Sequence, residues 1–194
     1  MTRSDWSRKA CHGLFKTAAG WWAVTWTDKG LSALVLPQAS KIAALRKLAE
    51  YLPPMPEAFW DEPLSAVPSL IPTAVRKALA GKPFTRPALD LSFLTPFQQR
   101  ILLATADIPL GQVRTYGWTA KRAGSPRGFQ AAGQALHRNP IYLLIPCHRV
   151  IAGGNRLGGY GGGVEWKIKL LKTEKIPLYR SPDGGYMVSK ALLK

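Results

Sequence analysis

Residues 145–154 read IPCHRVIAGG. A cysteine stands between a proline and a histidine, and an arginine comes next. The apolar run Ile141-Tyr142-Leu143-Leu144-Ile145 leads in as a buried strand, and a glycine-rich loop leads out. The chain has only 2 cysteines and 3 histidines, so one of each at the mouth of such a strand points to chemistry. A free thiol titrates near ~8.5, so a nucleophilic Cys147 needs a base or a positive neighbour. Successive side chains on an extended strand point to opposite faces. Coupling of Cys147 to His148 therefore requires a bend or a bridging water, and Pro146 with the glycine-rich exit leaves room for a bend.

Downstream, VEWKIKLLKTEKI has the spacing of a helix and sets Glu174 on the apolar stripe of Leu170 and Leu171. A carboxylate there is costly unless it is paired, and a histidine is its natural partner; the other reading is a solvated helix end. Lys167 shares the stripe and either snorkels out or reaches the site. Zinc is the rival use of Cys147-His148, but structural zinc takes four ligands and no second Cys or His lies near. The loop GNRLGGYGGG lacks the Lys-Ser/Thr of a phosphate-binding loop. Its glycines instead let the backbone and Tyr160 close over a flat ligand.

Upstream, Thr95-Pro96 starts a helix whose stripe is Phe97, Ile101 and Leu102. Thr115 caps a short helix, YGWTAKRAG, closed by Gly124. Ser125-Pro126 opens another, RGFQAAGQALHRN, that must end before Pro140. In this second helix Phe129, Ala132, Gly133 and Leu136 repeat at core spacing. Arg127, Gln130, Ala131, Gln134, Ala135 and Arg138 face elsewhere, mixing small residues with polar and basic ones. Two short helices joined by a glycine-containing turn in a basic chain match a helix-turn-helix, with an ordinary solvated helix as the alternative.

The first half of the chain says less. GWWAVTWTDKGLSALVLP reads as a hairpin about the turn Thr27-Asp28-Lys29-Gly30. Ser40 can cap KIAALRKLAEYL, whose stripe is Ile42, Leu45 and Leu48 or Ala49. Prolines crowd residues 53–72, a short helix ends at Gly81, and KPFTRPALDLSFLT is a connector. The 194 residues are 46% hydrophobic and 20% charged, enough for a core and against disorder. Lys and Arg number 27 against 11 Asp and Glu, a net +16 that favours polyanions, nucleic acid above all. Two cysteines cannot build a disulfide framework, which suggests a reducing compartment. The basic N-terminus lacks a continuous apolar segment, and no run of ~18 apolar residues could span a bilayer. These features predict an intracellular protein, cytoplasmic or in the nucleoid or nucleus, with no membrane partner.

Asn139-Pro140 before IPCHRVI, the GGYGGG loop after it and a helix ending in glutamate closely resemble the O6-alkylguanine-DNA alkyltransferase family over roughly residues 95–176. The resemblance implies an α/β N-terminal domain (small sheet plus helix, residues 1–92), then a mostly helical domain with a helix-turn-helix (93–178) and a tail (179–194). It implies a monomer acting once, without cofactor, on double-stranded DNA carrying O6-alkylguanine, and on O4-alkylthymine. Cys147 would accept the alkyl group, while His148, through a water held with Glu174, takes the thiol proton. Tyr116 would press on a phosphate and donate a hydrogen bond to the departing base. Asn139 would brace the turn before the motif, the Cys147 carbonyl and Val150 backbone would read the guanine edge, and Tyr160 would wall the pocket. Arg127, Gln130, Ala131, Gln134 and Arg138 would face DNA.

Two positions depart from the family's pattern. Gln130 stands where an arginine usually fills the space vacated by the flipped base, with Arg127 nearby as a substitute. Gly161 stands for a frequent pocket serine, keeping a backbone donor but no hydroxyl. Some relatives hold zinc in the N-terminal domain, but only Cys11-His12 is available here, so none is predicted. Gln130 keeps open a second reading, a lesion-binding or regulatory DNA protein with slow or vestigial transfer. A thiol hydrolase is a third, and it leaves the basic helix pair unexplained.

Overall fold

The two Trp- and Val-rich runs pair as strands β2 (Gly20–Thr27) and β3 (Gly30–Leu34), antiparallel about the expected turn, with Thr27 opposite Gly30. The computed structural model describes residues 10–181 and 184–189. Most of the basic N-terminal segment and the end of the tail fall outside the described residues. A third strand, β1 (Cys11–Thr17), which the sequence did not announce, pairs antiparallel with β2 from Cys11–Trp26 to Thr17–Gly20. Only His12 and Gly13 of its seven residues are buried, so its apolar alternation is faint.

The described chain divides into two units. In the first, Ser40 caps α1 (Lys41–Ala49), its Oγ accepting from the Ala43 N–H at 3.1 Å. The stripe differs from the expected one: Ile42 is 64% exposed and Ala44 is buried with Leu48. The small Ala44 is the residue that joins Ala23, Ala33 and Val35 of the core, where the bulkier Ile42 does not. Two further helices follow, α2 (Glu57–Asp61) and α3 (Leu70–Leu79), the first unit taking α3 as far as Arg76. The expected connector is largely part of this unit. Leu31 N–H donates to the Ala88 carbonyl and Asp90 N–H to the Leu31 carbonyl, each at 2.8 Å, while Thr27 Oγ1 donates to Asp90 Oδ2 at 2.6 Å.

The second unit holds the helices α4 (Pro96–Ala106), α5 (Tyr116–Arg122), α6 (Phe129–His137) and α7 (Val164–Thr173). Thr115 caps α5 as its side chain predicts, Oγ1 accepting from the Trp118 N–H at 3.1 Å. Gly124 then takes a positive φ of 78° and ends the turn. Ser125-Pro126 forms a turn closed by the Gly128 N–H on the Ser125 carbonyl, so α6 opens at Phe129 and Arg127 precedes it. Strands β4 (Arg114–Thr115) and β5 (Val150–Ile151) pair in parallel, and β6 (Leu178–Arg180) pairs with β7 (Tyr186–Val188). Part of the expected tail is thus paired strand, and its Val188 joins Ile151, Leu157, Ile168 and Leu171 in a core.

The run 141–145 is not a strand. Ile141 makes a single parallel bridge to Leu34 in the first unit, and Leu143 then turns the chain at a φ of 68°. Prolines at 140 and 146 remove donors at both ends, and all five residues are buried, so no alternation defines a sheet face. No helix among the described residues is long and apolar enough to cross a membrane.

Candidate active site

The bend that Cys147 and His148 require is present as a 3-10 turn, Cys147–Arg149. Such a turn has 3.0 residues per turn, so three successive side chains leave its axis about 120° apart. Cys147 thereby faces a cavity of about 240 Å³ lined with Tyr116, Gly133, Leu136, His137, Gly159, Tyr160 and Gly161. His148 and Arg149 turn inward, and each meets Glu174.

That carboxylate terminates α7 and is 7% exposed. Its Oε1 meets His148 Nε2 at 2.8 Å and accepts from Arg149 Nη2 at 2.9 Å, while Oε2 accepts from Arg149 Nε at 2.9 Å. The bidentate fork is the strong arrangement for this pair, and Arg149 Nη1 donates further to the Ile108 carbonyl at 2.6 Å. Burial alone would raise the Glu174 pKa, but the hydrogen bonds from His148 and Arg149 and the Arg149 charge overcome it and hold the carboxyl at about 2. Glu174 is therefore ionised and can only accept. It follows that His148 Nε2 carries the proton. Burial lowers the His148 pKa below its ordinary value, so the ring rests neutral. Its Nδ1 is then a bare lone pair, and this atom has no hydrogen-bond partner among the described residues. A neutral imidazole with one nitrogen oriented by a carboxylate and the other free is a general base.

Cys147 is 6% exposed, and burial pushes its thiol pKa up, against opposing pulls from Asn139, Lys167 and Tyr160. The resting group is a thiol that must lose a proton on use. Asn139 Nδ2 donates both to Cys147 Sγ at 3.0 Å and to the Ile145 carbonyl at 3.1 Å, tying the end of α6 to the thiol. Lys167 does not snorkel. It is fully buried, its Nζ donating to the carbonyls of Val150 at 2.6 Å, Leu157, and Gly159 at 3.3 Å. Three carbonyls match its three donors, and burial brings its pKa down to about 8. This contact clamps the glycine loop to α7. Gly158, at a φ of 67°, brings the loop backbone close to Tyr116: a Cβ there would lie 3.4 Å from Cε2.

Tyr116, Cys147, Tyr160 and Gly161 thus converge on one cavity, with His148, Glu174 and Asn139 behind the thiol. Val150 is fully buried and does not line it; its N–H is bonded to the Cys147 carbonyl and its own carbonyl to Lys167. The Cys147 carbonyl and both backbone groups of Val150 thus already have partners. Arg127, Gln130, Ala131, Gln134 and Arg138 are exposed. Two residues of that segment depart from the expected faces: Phe129 is 53% exposed and Ala135 is 4% exposed. Sequence reasoning missed Arg149. A carboxylate on an apolar stripe has room for about four hydrogen bonds, more than one histidine can give, and the arginine beside His148 was the available signal. No three His, Cys, Asp or Glu side chains converge as a metal site among the described residues.

Residues 96–176 match the family model of the 6-O-methylguanine DNA methyltransferase DNA-binding domain. A methylated-DNA–protein-cysteine methyltransferase of Methanothermobacter thermautotrophicus is 39% identical over 158 residues, 80% of each chain. The enzyme of the same name from Mycobacterium leprae is 48% identical over 81 residues, 42% of this chain and 49% of that protein, so this match spans about half of the relative's length. The crystal structure of Mycobacterium tuberculosis OGT in complex with DNA superposes with a TM-score of 0.65 at 30% identity, covering 84% of this chain and 92% of that one. With a match of that length on both chains, and with Cys147, His148 and Glu174 inside the matched domain, the chain belongs to the methylated-DNA–protein-cysteine methyltransferase family.

Proposed function

We propose that the protein repairs alkylated DNA by direct reversal, moving the alkyl group from O6 of guanine in duplex DNA onto Cys147 in a single turnover. The observation that carries this reading is the ordered line Glu174–His148 behind a buried thiol that opens on a cavity of about 240 Å³. His148 Nδ1 takes the thiol proton through a water. The Cys147 sulfur then forms a bond to the alkyl carbon as the carbon–O6 bond breaks, and the electron pair of that bond stays on the base. Tyr116 donates a hydrogen bond to the base as this charge develops, and a proton returning to the base restores guanine. The thioether left on Cys147 has no leaving group, which makes the transfer stoichiometric and cofactor-free. The same step suits O4-alkylthymine.

A base inside the duplex cannot meet this thiol and must be flipped out, at a cost of a few kcal/mol. In this reading α5 and α6 act as a helix-turn-helix, α6 lies in the minor groove, and Tyr116 presses on a phosphate. Arg127 and Arg138 grip phosphates, while Gln130, Ala131 and Gln134 face the groove. The protein acts as an intracellular monomer. The complete relay of Cys147, His148, Glu174 and Arg149 speaks against a lesion-binding protein with vestigial transfer.

Incubation with an excess of duplex DNA containing O6-methylguanine tests the proposal. One methyl per protein, found by mass spectrometry on the Cys147 peptide, is expected. Methyl on Cys11, repeated turnover, or tight binding with no transfer would each overturn it.

A further inference from the structure

Helical spacing puts Phe129 on one stripe with Ala132, Gly133 and Leu136, yet its environment differs from theirs. Ala132 is fully buried and Leu136 is 6% exposed, whereas Phe129 is 53% exposed. Gly133 and Leu136 of this stripe, and His137 after them, line the cavity in front of Cys147. Phe129 therefore stands one turn beyond the cavity-lining part of α6, about 6 Å along the axis at 1.5 Å per residue. It is the first residue of the helix, and the exposed Lys121, Arg122 and Arg127 precede it. A half-exposed phenyl ring at the start of a helix whose later turns line the cavity in front of Cys147 has the chemistry of an intercalating wedge. Minor-groove proteins insert such apolar side chains between base steps.

We infer that Phe129 enters the duplex where the target nucleotide leaves it and stacks on the neighbouring bases, holding the extruded state while Cys147 reacts. The inference rests on the proposed repair function and assigns a positioning residue to it. Magnitudes favour Phe129 over its neighbour Gln130, which points about 100° away around the helix and offers a small amide instead of a ring. Removing an aromatic that stacks on a base costs about 1–3 kcal/mol, which at 1.36 kcal/mol per tenfold is roughly 5- to 150-fold.

The test compares two substrates and one optical signal in the full-length protein. Phe129→Ala is expected to slow alkyl transfer from duplex O6-methylguanine by about tenfold or more. Transfer from the free base O6-benzylguanine, which needs no extrusion, should change by less than about twofold, and Phe129→Trp should restore the duplex rate. In a Cys147→Ser background, 2-aminopurine next to the lesion should brighten on binding, and this rise should be lost with Phe129→Ala. The optical arm is independent of chemistry. A wild-type protein that transfers nothing would sink the repair function, while the fluorescence still decides whether Phe129 unstacks DNA. A wild-type protein that transfers normally, with Phe129→Ala unchanged on duplex or equally slow on both substrates, would overturn the wedge alone.

Discussion

The interior behind Cys147 and the outer face of α6 belong to the same unit and are built on opposite principles. Behind the thiol, the charged groups Glu174, Arg149 and Lys167 are nearly or fully buried and each is held by named partners at hydrogen-bond distance. On the outer face, Arg127, Gln130, Ala131, Gln134 and Arg138 are exposed, and so is the apolar Phe129. The first region is fixed by partners within the fold itself, which is what electrostatic preorganisation requires. In the proposed function the second meets a charged, stacked partner, so chemistry and capture should be separable in one domain and variants should divide along that line.

Cys147→Ser should give the largest effect, complete loss of transfer, while affinity for duplex DNA stays within about twofold of wild type, because a hydroxyl titrates far above a thiol. A parallel loss of binding in gel-shift assays would erase the boundary between the two regions. Salt should act on the outer face alone: if six or so phosphates are neutralised, affinity falls by about 10³ between 50 and 200 mM salt. The rate of transfer from the free base O6-benzylguanine, measured over the same range, should hardly move. A flat binding curve would direct the +16 charge to some other partner.

Glu174→Gln should slow transfer on the order of 10²-fold with normal DNA binding, as the orientation of His148 and the stabilisation of its protonated form are both weakened. The folded carboxyl is held at about 2 against an ordinary 4.5, so its stabilising effect is present above the ordinary value and is lost as pH falls toward 2. His148 acts in the same direction. Its folded pKa lies below 6.5, so acid favours the unfolded chain, which protonates that ring first, and transfer should fall as the ring protonates below that value. Thermal melts of wild type and Glu174→Gln between pH 5 and 2 should therefore converge as acid removes the difference. Parallel melting curves across that window would mean that Glu174 contributes nothing through its charge. Gln130→Arg should have the smallest effect, changing duplex repair by less than about threefold if Phe129 already fills the gap. A gain of tenfold or more would move the wedge to position 130.

Much of the local structure was legible in the chain. Ser40 and Thr115 cap helices because a short hydroxyl beside a helix start meets a free N–H whatever surrounds it. The turn at 27–30 and the stop at Gly124 follow from residues within a few positions. Cys147, His148 and Glu174 were readable as a group, since a carboxylate on an apolar stripe demands a partner. The exposures of Ile42 and Phe129 were not legible, because a helical repeat says which residues share a face and not which face the rest of the fold covers.

What the sequence determined by itself is therefore the short-range part: capped helices, tight turns, the basic excess, and a thiol next to a histidine. The charge is composition alone, and the others depend on interactions within about one helical turn, where the backbone leaves few alternatives. Tertiary structure decided the rest. It turned 141–145 into an irregular buried segment, brought Arg149 onto a carboxylate 25 residues away, and set Lys167 under three loop carbonyls. The physical reason is that a buried polar group must find donors or acceptors wherever the packed chain supplies them, and those partners are close in space without being close in sequence.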